Sequence, residues 1–142
     1  MNQLEIRSFR RDMRRIEREA GILVAGETSC CSVTVAQCHL LLEMEALGPS
    51  SLQDLADSLS LDKSTLSRTV DSLVRDGLIE RLPDADNRRK VSLSLTGPGR
   101  EKCDYINSLC NGQYEEVLAL IPEDKRDSVM EGIRLLAAAM LK

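Results

Sequence analysis

The strongest hydrophobic pattern in this chain lies between residues 51 and 95 and is centred on one helix. Apolar side chains recur there at positions i, i+4, i+7 and i+8, which places them on one helical face: Leu66, Val70, Leu73 and Val74. Asp62 is a good N-cap just before this stripe, and Gly77 suits the left-handed residue that ends a helix. The pattern therefore predicts a helix between these two residues.

A second, shorter helix precedes it. Ser51 is its predicted N-cap. Its apolar residues again have helical spacing: Leu52, Leu55, Ala56 and Leu59. Only Ser60 and Leu61 separate this helix from Asp62. Two helices joined by so short a turn indicate a helix-turn-helix motif, whose second helix is the recognition helix.

The residues after Gly77 alternate as strands do. Residues 78–82 form a short apolar segment, residues 83–87 are rich in turn formers, and the apolar positions of residues 91–95 alternate with serines. The tip of this predicted hairpin is a basic run of Arg88, Arg89 and Lys90. Helix, turn, helix and hairpin in this order predict a mainly α protein, a winged helix-turn-helix with a two- or three-stranded wing.

The polar face of the recognition helix carries short hydroxyl groups and one guanidinium near its N-terminal end. Such side chains approach phosphates and base edges closely, and arginine is the best bidentate partner of guanine. A basic wing tip can lie along the DNA backbone or enter the minor groove. We therefore predict contacts to double-stranded DNA from these residues: Ser51, Lys63, Ser64, Thr65, Ser67, Arg68, Arg88, Arg89 and Lys90.

These residues carry a family resemblance. Residues 86–99, DNRRKVSLSLTGPG, resemble the wing signature of the MarR family of bacterial transcription regulators. Residues 61–68 and 73–81 are similar to the helix-turn-helix core of that family, and Thr34–Gln37 with Leu41 resembles the start of its second helix. The resemblance covers most of residues 34–100. It implies a homodimeric DNA-binding regulator, usually a repressor that is released by a ligand or by thiol chemistry.

Helices are also predicted on both sides of this module. We expect one over Leu4–Ala20, followed by a loop to residue 32, a long helix capped by Thr96, and a last helix over Glu123–Lys142. Together they carry too much apolar surface for a monomer. Residues 1–33 and 97–142 should therefore form a helical dimerisation region around the winged module of residues 34–96, in one compact domain. Such a homodimer should recognise an inverted-repeat operator.

Composition adds little to this interpretation but does not contradict it. The formal net charge of the 142 residues is −4, which argues against a general polyanion binder. Residues 62–100 are the exception, with 8 basic and 6 acidic side chains. The N-terminus lacks the features of a signal peptide, and the longest apolar run, residues 135–141, is too short to cross a bilayer. We expect a cytoplasmic protein without membrane contact, whose five cysteines are mainly reduced.

The cysteines are the candidate sensor. Cys30, Cys31 and Cys38 fall within nine residues, two in the predicted loop and one near the start of the second helix. Thiols near a helix N-terminus gain thiolate character, which suits a thiophilic metalloid or metal ion as effector, or oxidation to a disulfide. No cofactor is required. Cys103 and Cys110 lie one heptad apart on the long helix, where we expect small buried hydrophobes rather than sensors.

The sequence fits other classes of function less well than a DNA-binding regulator. The sequence has no phosphate-binding glycine loop, no HExxH and no GxSxG motif, and its single histidine follows Cys38 directly, so we predict no enzyme. A small-molecule effector in the crevice between the two regions is an alternative to thiol sensing. A winged helix that binds a protein instead of DNA is an alternative of another class. The basic wing tip argues against it, because a protein contact does not require it.

Overall fold

The computed structural model describes residues 1–141, apart from the side chains of residues 27–30. In chain order the elements are α1 (Gln3–Cys31), α2 (Val35–Leu47), α3 (Leu52–Leu59), α4 (Lys63–Arg75), β1 (Ile79–Pro83), β2 (Val91–Leu95), α5 (Gly97–Ala119) and α6 (Glu123–Met140). This confirms the mainly α, winged helix-turn-helix architecture. None of the helices within residues 1–141 combines the length and the apolar character that a membrane crossing needs.

Side-chain caps begin four helices at the predicted residues. Thr34 and Gln37 form a capping box at α2, with hydrogen bonds of 3.1 and 3.0 Å. Ser51 caps α3, Asp62 caps α4 and Thr96 caps α5, each accepting from a backbone N–H three residues on. These N–H groups have no partner inside their own helices, so each cap both starts the helix and stabilises it.

The first helix is longer than predicted. Instead of ending at residue 20, α1 continues to Cys31 and stops at Ser32, whose φ is 56°. The two glycines inside it do not break the helix, because each costs only about 1 kcal/mol relative to alanine. Helix α1 packs against α5 and α2, and in its last turn the Cys31 carbonyl oxygen accepts from Lys102 Nζ of α5 at 3.0 Å. The predicted loop over residues 21–32 is therefore wrong, and Cys30 and Cys31 lie in the last turn of a helix.

The wing is a two-stranded antiparallel hairpin. Ile79 pairs with Leu95 at its base and Pro83 with Val91 toward its tip. A third strand is reduced to one bridge, in which the two N···O distances between Ser50 and Leu93 are 3.1 and 2.8 Å. The wing thus has two strands, the smaller of the two predicted numbers. The bridge connects it to the segment just before α3.

The core lies within the central part of the chain. Its apolar residues, each at most 9% exposed, come mainly from α2, α3, α4, the wing and the first turns of α5: Cys31, Val33, Cys38, Leu40, Leu41, Met44, Leu55, Ala56, Leu66, Val70, Leu73, Ile79, Leu93, Leu95, Cys103 and Ile106. Among the described side chains, α1 contributes only Cys31 and α6 contributes none. The core therefore lies in the winged module and the first turns of α5, whereas α6 lies outside it.

Candidate nucleic-acid interface

A tight turn directs α4 away from α3. Ser60 has a left-handed φ of 53°, and the Leu61 N–H donates to the Ala56 carbonyl oxygen at 3.0 Å. The apolar stripe of α4 is buried as predicted, with Leu66 1% exposed and Leu73 fully buried. Because this stripe faces the core, the opposite face of α4 lies on the surface of the module.

Asp62 organises the N-terminal end of that face. Its Oδ1 accepts from the Ser64 hydroxyl at 2.6 Å and from the Thr65 N–H at 2.8 Å. Its Oδ2 accepts from the Thr65 hydroxyl at 2.9 Å. The hydrogen bond from Ser64, followed by those from Thr65, lowers the pKa of the Asp62 carboxyl to about 2. The carboxylate is therefore ionised at neutral pH, and both hydroxyl hydrogens point toward it.

The residues predicted to contact DNA are not equally exposed. Ser64, Thr65 and Arg68 lie on one exposed face of α4, and Lys63 is exposed in its first turn. Ser67 is half-buried in a groove of about 190 Å³ between α4 and the wing. Ser51 is half-buried as well, and its hydroxyl caps α3. These two serines are therefore less accessible to a duplex than the others.

The wing tip presents its basic residues on a hydrogen-bonded turn. The Lys90 N–H donates to the Asn87 carbonyl oxygen at 3.0 Å, so Arg88 and Arg89 occupy the two central positions of a β-turn. Asp84 Oδ1 accepts from the Asn87 N–H at 3.2 Å and supports the turn from behind. The three basic side chains are exposed. The sequence placed them correctly at the tip, on the same module as α4.

Two further arginines lie on this surface and were not among the predicted DNA contacts. Arg75 and Arg81 line an open groove of about 410 Å³ together with Arg68 and Asp71. Arg75 follows Arg68 by seven residues, so helical spacing contained the signal that both lie on one face. Arg81 belongs to β1 and forms an ion pair with Asp71 of α4. Arg81 approaches α4 only because the hairpin folds back against that helix. No local sequence pattern predicts this approach.

The predicted thiol cluster is only partly placed as expected. Cys31 is the last residue of α1 and Cys38 is the fourth residue of α2, and both side chains are 2% exposed within one buried cluster. The grouping of three thiols at a helix N-terminus is wrong for Cys31, because the C-terminal end of a helix favours cations over thiolates. The side chain of Cys30 lies outside the described residues.

The cysteines of α5 differ from one another. The Cys103 Sγ is fully buried and lies 3.5 Å from the Leu41 carbonyl oxygen, to which it donates. Burial raises the pKa of the Cys103 thiol to about 11, and the Glu45 carboxylate, Asp104 and the thiol of Cys38 add to the effect. A thiol with this pKa is a poor nucleophile at neutral pH. Cys110, one heptad further, is half-buried.

Metal binding by the cysteines stays a prediction. Among the side chains that the structure describes, no three Asp, Glu, His or Cys residues are grouped closely enough to hold a metal ion. The side chain of Cys30 is not among them, so the predicted trio as a whole lies outside this description.

Solved structures identify the class of protein. A MarR family protein from Bacillus stearothermophilus matches with a TM-score of 0.88 at 20% identity, covering 100% of this chain and 99% of that chain. A mutant MarR from Escherichia coli, complexed with operator DNA, matches with a TM-score of 0.76 at 23% identity, covering 96% and 99%. At these identities the likeness shows the fold alone. The chain is a winged helix-turn-helix protein.

Sequence comparison adds a resemblance to a family. Residues 33–91 match the model of the MarR family. Over 86 residues the chain is 30% identical to the multiple antibiotic resistance protein MarR of Escherichia coli, an alignment that covers 61% of this chain and 60% of that protein. The chain thus spans less than two thirds of this relative. The match over residues 33–91 confirms the predicted resemblance to the MarR family. The homologues are transcriptional regulators and not enzymes.

Proposed function

We propose that this protein is a homodimeric transcriptional regulator that binds double-stranded DNA sequence-specifically and acts as a repressor. The observation that carries the proposal is the joint exposure of the polar face of α4 and of the basic wing tip on one module. A relative of the same fold, MarR of Escherichia coli, has a crystal structure with operator DNA.

The two exposed surfaces suit different parts of a duplex. The major groove is wide enough to admit a helix, and Arg68 on α4 can pair bidentately with guanine O6 and N7. Arg88 and Arg89 on the wing can reach phosphates or enter the minor groove. Because the net charge of the chain is −4, affinity should depend on these few contacts, and a dimer doubles them.

Exposed apolar side chains on the terminal helices support the dimer. Several residues of α6 are at least 38% exposed: Val129, Met130, Ile133, Leu135 and Met140. Phe9 of α1 is 51% exposed and lines an apolar groove of about 570 Å³ with Leu136 and Met140. Apolar surface of this extent on a small domain marks an interface, and a two-fold pairing with a second copy would cover it.

Such a dimer fixes the form of the operator. Two copies of α4 related by a two-fold axis enter successive turns of the major groove, so the site should be an inverted repeat with half-sites about 10 bp apart. Selection of bound sequences from a random duplex pool, with the purified full chain, tests this directly. Enrichment of an inverted repeat is the expected result, and recovery of unselected sequence would contradict the proposal.

A salt titration tests the wing. Arg88→Gln with Arg89→Gln should weaken binding to all sequences and reduce the slope of log K against log salt by about two per subunit, since each lost phosphate contact removes about one. Arg10→Gln with Arg11→Gln is the matched control, because it removes two adjacent exposed arginines from α1. An unchanged slope in the wing variant would favour the alternative, a protein-interaction module without DNA binding.

Regulation by thiol chemistry is the second part of the proposal. A thiophilic metalloid or metal ion, or an oxidant, would act on Cys30, Cys31 and Cys38 and release the DNA. The positions of two of these thiols support this regulation. Cys31 and Cys38 border the short α1–α2 connection between the terminal helices and the module. Both thiols are 2% exposed, so reaction requires this junction to open. The effector then shifts the dimer toward a shape whose recognition helices no longer match the groove.

Replacement of the three cysteines by serine separates the possible effectors. The triple variant should bind DNA as the wild type does and should no longer be released by arsenite or hydrogen peroxide. Cys110→Ser, at a half-buried position of α5, is the control and should respond normally. If the triple variant still responds, the thiols are structural. If only organic ligands release the wild type, the effector site is the inter-region crevice.

A further inference from the structure

Two hydroxyl groups at the N-terminal end of α4, those of Ser64 and Thr65, donate to the same carboxylate. Ser64 Oγ lies 2.6 Å from Asp62 Oδ1, and Thr65 Oγ1 lies 2.9 Å from Asp62 Oδ2. A carboxylate only accepts hydrogen bonds, so each hydroxyl must be the donor. Capping of α4 needs only the bond from the Thr65 N–H. The two hydroxyl bonds are therefore additional to the cap.

This arrangement restricts what the hydroxyls can do for a ligand. A serine or threonine hydroxyl has one hydrogen and two lone pairs, and it normally rotates to donate or to accept. With the hydrogen directed to Asp62, only lone pairs remain on the exposed side. The low pKa of Asp62, about 2, keeps the carboxylate charged at every pH at which the protein would bind DNA.

We infer that Asp62 is a specificity-determining residue, which makes Ser64 and Thr65 obligate acceptors and so selects adenine or cytosine, the bases with an amino group in the major groove, at the positions they face. In the major groove the donors are adenine N6 and cytosine N4, whereas guanine O6 and thymine O4 are acceptors. An acceptor facing an acceptor loses its hydrogen bond. The inference rests on the proposed DNA-binding function and names the base chemistry that this end of α4 reads.

Asp62→Asn is the first test. Asparagine caps helices as well as aspartate does, so α4 should remain intact. Its carboxamide has one acceptor oxygen and an NH₂ donor, so at most one side-chain atom can hold the hydroxyl hydrogens. We expect wild-type selections to show adenine or cytosine at two adjacent base positions. In the variant, guanine or thymine should become acceptable at one or both.

Ser64→Ala and Thr65→Val provide the second test, which does not depend on the cap. Each removes one hydroxyl and leaves the carboxylate, and valine keeps the shape of threonine. Replacing the contacted base by an analogue without its amino group should weaken wild-type binding about tenfold, the value of one hydrogen bond. The same replacement should have no effect on the variant that lacks the facing hydroxyl.

The outcomes separate this inference from the function on which it rests. If the wild type selects no sequence at all, the proposed function fails and the inference fails with it. If the wild type selects an inverted repeat, but Asp62→Asn, Ser64→Ala and Thr65→Val retain the same base preferences, the function stands and the inference is overturned. Selection of guanine or thymine by the wild type at the positions that these variants alter would overturn it as well.

Discussion

The central module and the terminal helices of this protein bury their apolar side chains in different ways. In the module, Leu66 and Leu73 of α4 are at most 1% exposed, because α2, α3 and the wing close over them. In α6 no side chain is buried, and Ile133 is 50% exposed although it lies on an apolar face. The same residue types are thus buried within the chain in one region and exposed in the other.

Together with the proposed dimer, this difference places folding and assembly in separate parts of the chain. Substitutions in the module should change the free energy of unfolding at any protein concentration. Substitutions on α6 should instead change the concentration at which two copies associate. The exposed surface of the module contributes to neither folding nor dimer assembly in this proposal. It is therefore available for the proposed contact with DNA.

Gly99→Ala should have the largest effect. A Cβ at this position would lie 2.0 Å from the Leu78 carbonyl oxygen, because the start of α5 packs directly on the base of the wing. Backbone must move to relieve this contact, so we expect a loss of about 3 kcal/mol or more in the free energy of unfolding. Urea denaturation followed by circular dichroism measures it.

Gly97→Ala is the matched control for this variant. It lies two residues earlier in the same helix, and a Cβ there meets nothing within 4 Å. Its stability should change by less than about 1 kcal/mol. Equal effects of the two substitutions would show that the contact with Leu78 does not hold α5 in place.

Ile133→Asp should separate assembly from folding. Full burial of an isoleucine side chain is worth about 2 kcal/mol, and half of Ile133 is still exposed in the single chain. The two copies in a dimer would therefore lose about 2 kcal/mol together, which should raise the dimer dissociation constant roughly thirtyfold. Sedimentation equilibrium measures the change. Ser128→Asp adds the same charge to an exposed position on the polar side of α6 and should leave the dimer intact. A wild type that is monomeric at high concentration would refute the dimer.

Local patterns allowed the module to be predicted well. The cap at Asp62, the buried stripe of α4 and the alternation that sets the wing register are all short-range signals, and the structure has each of them. The C-terminal half of α1 was missed, because tertiary packing overrides the low helix propensity of two glycines. The pairing of Asp71 with Arg81 joins two different elements, so sequence spacing does not show it.

The buried thiol of Cys103 on α5 should make the stability of the protein depend on alkaline pH. The folded state raises the pKa of Cys103 from about 9 to about 11, so the neutral thiol is favoured by folding. This contribution is complete below pH 9 and should be lost as the pH rises toward 11, because the unfolded chain releases the proton first. Denaturation midpoints across this range should fall in the wild type and fall less in Cys103→Ala. Equal slopes of midpoint against pH in the two proteins would contradict the raised pKa of Cys103.

The ion pair between α4 and the wing should have the smallest effect on stability. The side chains of Asp71 and Arg81 are 55% and 43% exposed, and exposed pairs contribute about 0.5 kcal/mol or less. Asp71→Asn should therefore barely change the denaturation midpoint.

The same substitution should change DNA binding more than it changes stability. Without the carboxylate, Arg81 joins Arg68 and Arg75 in a groove with no negative charge among its lining residues. Non-specific duplex binding should then become tighter, and its salt slope should steepen by about one for each new phosphate contact. Asp127→Asn, an equal charge change on α6, is the control. A loss of stability above about 1 kcal/mol without a change in salt slope would show that this part of the module serves folding and not recognition.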